Sequence, residues 1–559
     1  MTLADTADLW WKNAIIYCLD VQTFADSDGD GMGDLPGLIG KLDYLAGLGV
    51  TCIWLMPIHP TADRDDGYDV AEHYAIDPRL GSFGDFTELV RTARDRGMRV
   101  IMDLVVNHTS DQHPWFQEAR RNRESRFRDF YVWRDEIPSD GPQGEVFPGR
   151  QEGVWNWDPE AGQYYLHRFY QHQPDLNVAS ADVRSEIRKI IGFWLQQGLS
   201  GFRVDAVPFL IEEAGSTEPM ELDPHEFLRD VRAFLGRRSG DAALLGEVNL
   251  EAEPQHAFFG DEDGDELHLM FDFLLMQATH LAFARGDAGP IRQALAARKP
   301  APYEGAWATF LRNHDELTLD KLSDAERQEV FAAFGPDEDM QLYGRGLRRR
   351  LPAMFGGDEQ RLRMAYSLQF ALPGTPTLFY GEEIGMAENL AVGDRLAVRT
   401  PMQWTGGPTG GFSSAPPTAL HRPTPTDPRF APDAVNVERQ RTEPDSLLNW
   451  FERLIRRRKE LPEIGWGTCV VLDGGEASVL VLRHEWRGNV TVTVHNLAAR
   501  RATVRLKGAD VGGDGTDPRE LELVDLFEHT PPLAPRAGRW SVPLPSYGHR
   551  WFRLRARSR

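Results

Sequence analysis

The feature that most constrains the fold is a repeated alternation of short, almost wholly apolar runs with longer amphipathic stretches. The runs are "IIYCLDV" (15–21), "TCIWLMP" (51–57), "RVIMDLVVN" (99–107), "GFRVDAV" (201–207), "ALLGEV" (243–248), "LHLMFDFLL" (267–275), "GAWATFLRNHD" (305–315) and "TPTLFYGEE" (375–383). Helical patterns such as "DFTELVRTARDRG" and "VRSEIRKIIGFWLQQG" separate them. Strands apolar on both faces belong to a parallel sheet covered by helices. Eight such units predict an α/β fold, a (β/α)8 TIM barrel. The spacing is uneven. The stretch 108–177 is too long for a loop and is rich in Trp, Tyr, Phe and charge, so an inserted domain is expected there, with the barrel built from 1–107 and 178–461. Within the barrel, 386–446 is a Gly-, Pro-, Ser- and Thr-rich excursion after the last strand. From 462 to 559 the pattern changes to short alternating strands ("TCVVLDG", "ASVLVLRHEW", "NVTVTVHNL", "RATVRL", "RWSVPL", "HRWFRLRA"), which predicts a C-terminal β-sandwich.

In a barrel of this kind, polar residues at the C-terminal ends of strands build the active site. Those ends carry Asp103, Asn107 and His108 after the third strand, Arg203 and Asp205 on the fourth, Glu247 on the fifth, and His314 and Asp315 after the seventh. Arg203 and Asp205 stand two apart and share a strand face. A guanidinium there is expected to lower the Asp205 pKa and keep it ionised, as a nucleophile requires. A second carboxylate with a raised pKa suits a proton donor. This pairing is the chemistry of retaining glycoside cleavage, with carboxyl groups about 5 Å apart. Any one of these residues alone is more often a cap or an ion-pair partner. Their joint position on successive strands makes the catalytic reading the better one.

The runs "DLVVNH", "GFRVDAV", "GEVN" and "FLRNHDE" resemble the four main conserved regions of the α-amylase superfamily of glycoside hydrolases. "QPDLN" (173–177) and "RTPMQW" (399–404) are similar to its oligo-1,6-glucosidase-like branch. The resemblance covers almost the whole chain. It implies Asp205 as nucleophile, Glu247 as general acid/base and Asp315 as transition-state stabiliser. It also implies Asp65, Tyr68, His108, Arg203, His314 and Arg399 around the non-reducing glucose. Within the branch, "DRDDGYDV", "NHTSDQHPWFQEAR", "FYVWRD", "HRFYQHQPDLN", "RNHDELTLDKLSDAER" and "DAVNVERQ" are most similar to the trehalose synthases, which isomerise maltose to trehalose. "GEVNLEAEP" and "FDFLLM" depart from that group, both near the acceptor side. The alternatives are an α-glucosidase acting on short α-glucosides and, more distantly, a non-catalytic interaction protein on the same barrel. All three carboxylates are present, which weighs against the last.

"DSDGDGMGD" (26–34) raises a metal question. Asp26, Asp28, Asp30, the Met32 carbonyl and Asp34 follow the opening of an EF-hand, but its twelfth position is Gly37 where a bidentate Glu is required. The expected flanks, a strand before and a helix after, are wrong as well. Carboxylates this close would repel one another without a cation, although a solvated turn is the plain alternative. The resemblance implies a structural Ca2+ in this loop. It implies a second Ca2+ at Asn107, Asp175, Glu212 and the carbonyls of Phe209 and Leu210, where hydrogen bonding without metal is the alternative. No organic cofactor is expected.

The formal charge of −23 over 559 residues argues against a nucleic-acid partner. The basic run "RGLRRRLP" reads as a solvated face. Cys18, Cys52 and Cys469 lie in apolar segments and are expected to be buried free thiols. No apolar run approaches a membrane span. The N-terminal residues lack the basic start and long apolar core of a signal peptide, so a cytoplasmic location is expected. The expected partner is a small α-glucoside, and the resemblance leaves room for a homo-oligomer.

Overall fold

The structure is a computed structural model and describes residues 9–138, 146–147, 153–210, 224–261, 264–512, 517–528 and 530–557. Eight parallel strands close into a barrel: β1 (Ile16–Leu19), β2 (Cys52–Leu55), β3 (Arg99–Leu104), β4 (Gly201–Val204), β5 (Ala243–Gly246), β6 (Leu269–Phe271), β7 (Ala306–Thr309) and β8 (Thr375–Phe379). Each lies inside one of the eight apolar runs. Ile16 pairs with Cys52 on one side and with Thr377 on the other, which closes the ring. The strands are buried on both faces except for half-buried Arg99 at the start of β3, as their unbroken apolar sequences require. Gly201 opens β4 at φ 146°, and a Cβ there would lie 2.0 Å from the Ala243 carbonyl oxygen, so only glycine admits the β4–β5 pairing.

The outer helices are amphipathic and locally specified. Phe83–Asp95 begins with a reciprocal capping box between Ser82 and Asp85 and buries Phe86, Leu89, Val90 and Ala93. That spacing forms one helical stripe against the barrel.

Between β3 and β4 the chain makes a three-stranded antiparallel sheet, in the order Trp133–Arg134, Gln163–Leu166, Trp155–Asp158. It is tied to the barrel mouth by the bridges His108–Asp175 and Tyr131–Leu176. After β7 the strands Leu317–Thr318, Gly346–Leu347 and Gln341–Leu342 form a second small sheet over the same mouth. The excursion after β8 is described without strands. It carries short 3-10 turns, including Asp394–Val398, and the helix Val437–Thr442.

At the C-terminus a five-stranded antiparallel sheet (Thr468–Leu472, Val479–Trp486, Asn489–Asn496, His549–Ala556, Leu521–Asp525) faces the pair Ala502–Lys507 and Arg539–Leu544. Val481, Val492, Val494, Val504, Leu506, Trp540 and Phe552 pack between them. Leu521–Asp525 is a strand that the sequence pattern did not separate. The unit docks on the barrel through Trp551, whose Nε1 donates to Ser367 Oγ at 2.9 Å, and His495, whose Nε2 lies 2.9 Å from the same oxygen. Cys18 and Cys52 are buried and Cys469 is half-buried; all three are free. No helix among the described residues is long and apolar enough to cross a membrane.

Candidate active site

At the C-terminal mouth of the barrel lies a cavity of about 500 Å3. Asp65, Tyr68, His108, Asp205, Glu247 and Asp315 line it. Arg203, His314 and Arg399 sit directly behind these residues, with exposures of 1% or less. Strand ends supply Asp205 and Glu247, and loops supply the rest.

Arg203 on β4 organises the centre. Its Nη1 donates to Asp103 Oδ1 at 2.6 Å and to Asp205 Oδ1 at 2.5 Å, and its Nη2 donates to Glu247 Oε2 at 2.8 Å. One guanidinium therefore bridges two carboxyl groups that face the cavity, those of Asp205 and Glu247. The Ala206 N–H also donates to Glu247 Oε2, at 3.1 Å. Ala206 holds a left-handed φ of 47°, which is costly for a non-glycine residue and is the kind of strain found where a side chain must be aimed.

The electrostatics correct the sequence expectation for Asp205. Burial pushes its carboxyl up, Arg203 opposes, and Asp103 and Asp315 add to the rise, leaving it at about 6 rather than lowered. Glu247 rises further, to about 7, through burial, with Arg203 opposing and Asp205 and Asp315 assisting. The order of the two survives: Asp205 ionises before Glu247. Asp103 also rises to about 6, chiefly by burial.

Asp315 behaves oppositely. Burial pushes its carboxyl up, but His314, Arg395 and Arg399 outweigh that and hold it well below the usual carboxylate range. Its Oδ1 accepts from Arg395 Nη1 at 2.7 Å and Arg399 Nη2 at 3.1 Å. His314 Nε2 lies 3.0 Å from Asp315 Oδ2 and 2.7 Å from Tyr68 Oη. Burial drops the His314 pKa to about 4, so the imidazole is neutral and donates through Nε2. Its ring stacks on Tyr68 at 5.5 Å.

Arg395 is a cavity-lining cation that strand-end reading missed. It couples Asp315 to Asp65 Oδ1 at 2.6 Å, while Gln173 Nε2 donates to Asp65 Oδ2 at 2.8 Å. Arg399 is placed deeper than a pocket wall: it bonds Asp66 and Asp315 and donates from Nε to the His314 carbonyl at 2.9 Å. Arg422 bonds the same Asp66 and approaches Asp20 at 3.9 Å. Acids and bases thus alternate from Asp20 through Arg422, Asp66, Arg399, Asp315 and Arg395 to Asp65. His108 is buried, with its Nε2 3.1 Å from the Tyr68 carbonyl and its ring 5.0 Å from that of Phe169.

Across the cavity, Asn249 Nδ2 donates to Asp320 Oδ1 at 3.0 Å, and Glu316 accepts from Arg345 at 3.3 Å. Arg345 also donates to the Val146 carbonyl at 2.8 Å. Phe147 packs against Tyr170 and Tyr343 at 4.7 and 5.1 Å. The inserted segment and the small sheet after β7 therefore meet over the opening. No sequence spacing announced these residues, because each enters from a separate loop.

The first loop departs slightly from expectation: one helical turn, Val21–Phe24, intervenes between β1 and the acidic run. Carboxylate oxygens of Asp26, Asp28 and Asp34 lie within 4.8 Å of one another. Asp26 accepts backbone N–H groups from Asp28, Gly29 and Gly31. Asp34 caps the helix Leu35–Ile39 through Gly37 N at 2.6 Å. Asp30 lies outside the group of three and accepts from Met32 N at 2.7 Å. An oxygen-only set of this kind fits Ca2+. At the second expected site Asp175 pairs with Arg168 at 3.3 Å, so a protein cation already faces that carboxylate. Asn107 Nδ2 lies 3.3 Å from His108 Nδ1. Phe209 and Leu210 end the helical turn Val207–Leu210, and Glu212 lies outside the described residues.

Known proteins resemble this chain over almost its whole length. The α-amylase catalytic-domain model matches residues 18–331 and 348–467. The trehalose synthase/amylase TreS of Mycobacterium tuberculosis (strain ATCC 25618 / H37Rv) is 38% identical over 98% of this chain and 90% of its own length. A trehalose synthase of Thermus thermophilus is 40% identical over 98% of this chain and 56% of its own length. Among solved structures, an α-amylase from H. orenii superposes with a TM-score of 0.76 at 28% identity, covering 98% of this chain and 100% of its own. The trehalulose synthase MutB gives 0.75 at 26%, with the same coverage. The chain belongs to the α-amylase family of glycoside hydrolases and is an α-glucosyl enzyme of that family.

Proposed function

We propose that the protein is a retaining α-glucosyl enzyme that isomerises maltose to trehalose by intramolecular transfer. The observation that carries the catalytic half is the bridging of Asp205 and Glu247 by one Arg203 guanidinium at the floor of the cavity. That arrangement suits the short carboxyl separation of about 5–5.5 Å used when a covalent intermediate forms. An Asp205 oxygen attacks the anomeric carbon, the glycosidic C–O bond breaks, and Glu247 gives its proton to the departing oxygen. In the second half Glu247 removes a proton from the incoming hydroxyl, and the Asp205–glucosyl bond breaks. Asp315, kept ionised by Arg395 and Arg399, grips sugar hydroxyls and stabilises positive charge developing at the anomeric carbon.

Whether water or the released glucose attacks decides the product. The isomerase reading is supported by relatives named trehalose synthase at 38–40% identity over nearly the whole chain. It is also supported by the Phe147–Tyr170–Tyr343 cover over the opening, which limits water. The released glucose then turns, and its own anomeric hydroxyl bonds to the anomeric carbon as the Asp205–glucosyl bond breaks.

A structural Ca2+ at Asp26, Asp28 and Asp34 belongs to the same reading. When bound it offsets the mutual repulsion of these carboxylates and fixes the loop ahead of the Leu35–Ile39 helix.

The test is incubation with pure maltose and separation of the products. Trehalose is expected as the main product, with a minor share of glucose. Glucose alone would make the enzyme a hydrolase, and no turnover of any α-glucoside would end the enzymatic reading.

A further inference from the structure

A second cavity, of about 350 Å3, shares no lining residue with the catalytic one and has no role in the chemistry above. It opens between the helix after β6, Phe273–Arg285, and the next helix, Gly289–Ala297. Leu274, Ala278 and Leu281 line it from the first helix, and Pro290, Ala294 and Ala297 from the second. Each set has the i, i+4, i+7 spacing of one helical face. Half of these side chains are single methyl groups, too short to fill the space between the two faces. Leu275 and Trp307 complete the apolar wall.

The polar groups restrict what can enter. Three lining cations are already paired: Arg298 with Asp272 at 2.7 Å, Lys299 with Glu253 at 2.5 Å and Lys321 with Asp320 at 3.4 Å. An anion would find no unneutralised partner among them. Of the lining carboxylates, Asp272 is held by Arg298, Glu326 lies 3.7 Å from Arg285, and Glu251 is exposed, where a charge pair is worth little. Gln255 is different. It is 1% exposed and spends its amide N–H groups on the carbonyls of Val248 and Phe271, at 2.7 and 3.2 Å. Its Oε1 accepts no hydrogen bond among the described residues. A wholly apolar occupant would leave that oxygen unsatisfied, which is costly for a buried polar group. A neutral molecule with C–H faces and hydroxyl donors meets both demands.

We propose that this cavity is a second, non-catalytic site for a neutral pyranose, glucose, and that its occupant acts on the catalytic cavity through Gln277. The choice of glucose among neutral polyols rests on the α-glucosyl reading of the barrel mouth. Gln277 and Lys321 line the second cavity. Gln277 Oε1 accepts from the Lys321 N–H at 2.8 Å, and its Nε2 donates to Asp320 Oδ1 at 3.1 Å. The same Asp320 oxygen accepts from Asn249 at 3.0 Å and Thr318 at 3.1 Å. Asn249, Thr318 and Asp320 all line the catalytic cavity. One amide side chain thus joins the two sites, and a sugar lodged against it bears on the far wall of the catalytic cavity. A ligand that favours one arrangement of this network couples the sites.

Crystals of the unaltered protein soaked in glucose should show one pyranose in the catalytic cavity and a second between the two helices, within hydrogen-bond reach of Gln255 Oε1. In Ala294→Trp, whose indole fills the space, the second should vanish and the first remain. Initial rates on an aryl α-glucoside supply the solution arm. Glucose should lower kcat and raise KM in the unaltered protein, and only raise KM in Ala294→Trp. Glucose can accept the glucosyl group in both proteins alike, so the difference between them isolates the second site. Because the variant can fail to fold, the soak of the unaltered protein is the independent arm. Sugar in the catalytic cavity alone would overturn the proposal, as would inhibition that Ala294→Trp leaves unchanged. Sugar in neither cavity would overturn it together with the α-glucosyl reading.

Discussion

Asp205 and Glu247 share one cation, and burial pushes both carboxyls up, to about 6 and to about 7. Catalysis needs the first ionised and the second protonated. Raising the pH through 6 therefore switches activity on, and raising it through 7 switches it off. The expected kcat/KM profile is a narrow bell with its maximum between pH 6 and 7, its limbs being apparent values of the coupled pair. Initial rates on an aryl α-glucoside across pH 4.5–9 would check it, and a plateau reaching pH 8.5 would refute this division of roles. Both carboxylates were legible as strand-end residues, because a barrel strand leaves its last side chains little freedom of direction. The Asp205 pKa was not legible. Sequence showed the guanidinium two residues away, but burial and the third-strand Asp103 arrive only with folding. Arg395 was hidden for a related reason. It lies four residues before Arg399 in a stretch without periodicity, and only the folded loop shows which of the two arginines reaches the cavity.

Among the elements, strands read best. All eight barrel runs became strands, since continuous apolar sequence has few other uses in a chain of this length. Leu521–Asp525 was overlooked because "LELVD" is short, bordered by charge, and paired with the distant His549–Ala556 rather than with a sequence neighbour. The β1 loop is half-readable: spacing offers five oxygen donors, and folding gathers the side chains of Asp26, Asp28 and Asp34. Asp26 already organises three backbone N–H groups, so the loop keeps part of its shape without a cation. Chelation with EDTA should lower the Tm of the unaltered protein. Asp28→Ala should begin at the lower value and respond little to EDTA. Melting curves unchanged by chelation would remove calcium from this loop.

At the scale of the molecule, the C-terminal sheet is anchored to the barrel by buried contacts rather than tethered loosely. Trp551 is fully buried and donates to Ser367 on the helix Glu359–Ala371, which precedes β8. Trp551→Ala should destabilise the protein by about 3–5 kcal/mol, the range for deleting a large buried aromatic. Denaturant unfolding would measure that loss. KM should stay nearly constant, because Trp551 does not line the cavity.

The alternating series from Asp20 to Asp65 draws on the loop after β1, the loop after β2, the loop after β7 and the excursion after β8. Each member neutralises its neighbours, so none can be exchanged alone. Replacing one of these loops by a sequence that lacks its charged member would strand a buried charge, a change that costs about 3–5 kcal/mol when one partner of such a pair is lost. Recombination among relatives should therefore preserve function only where the exchanged segments keep the charge series matched. For the blind end of this pocket, the heritable unit is a set of loops scattered along the gene rather than any one continuous stretch of it.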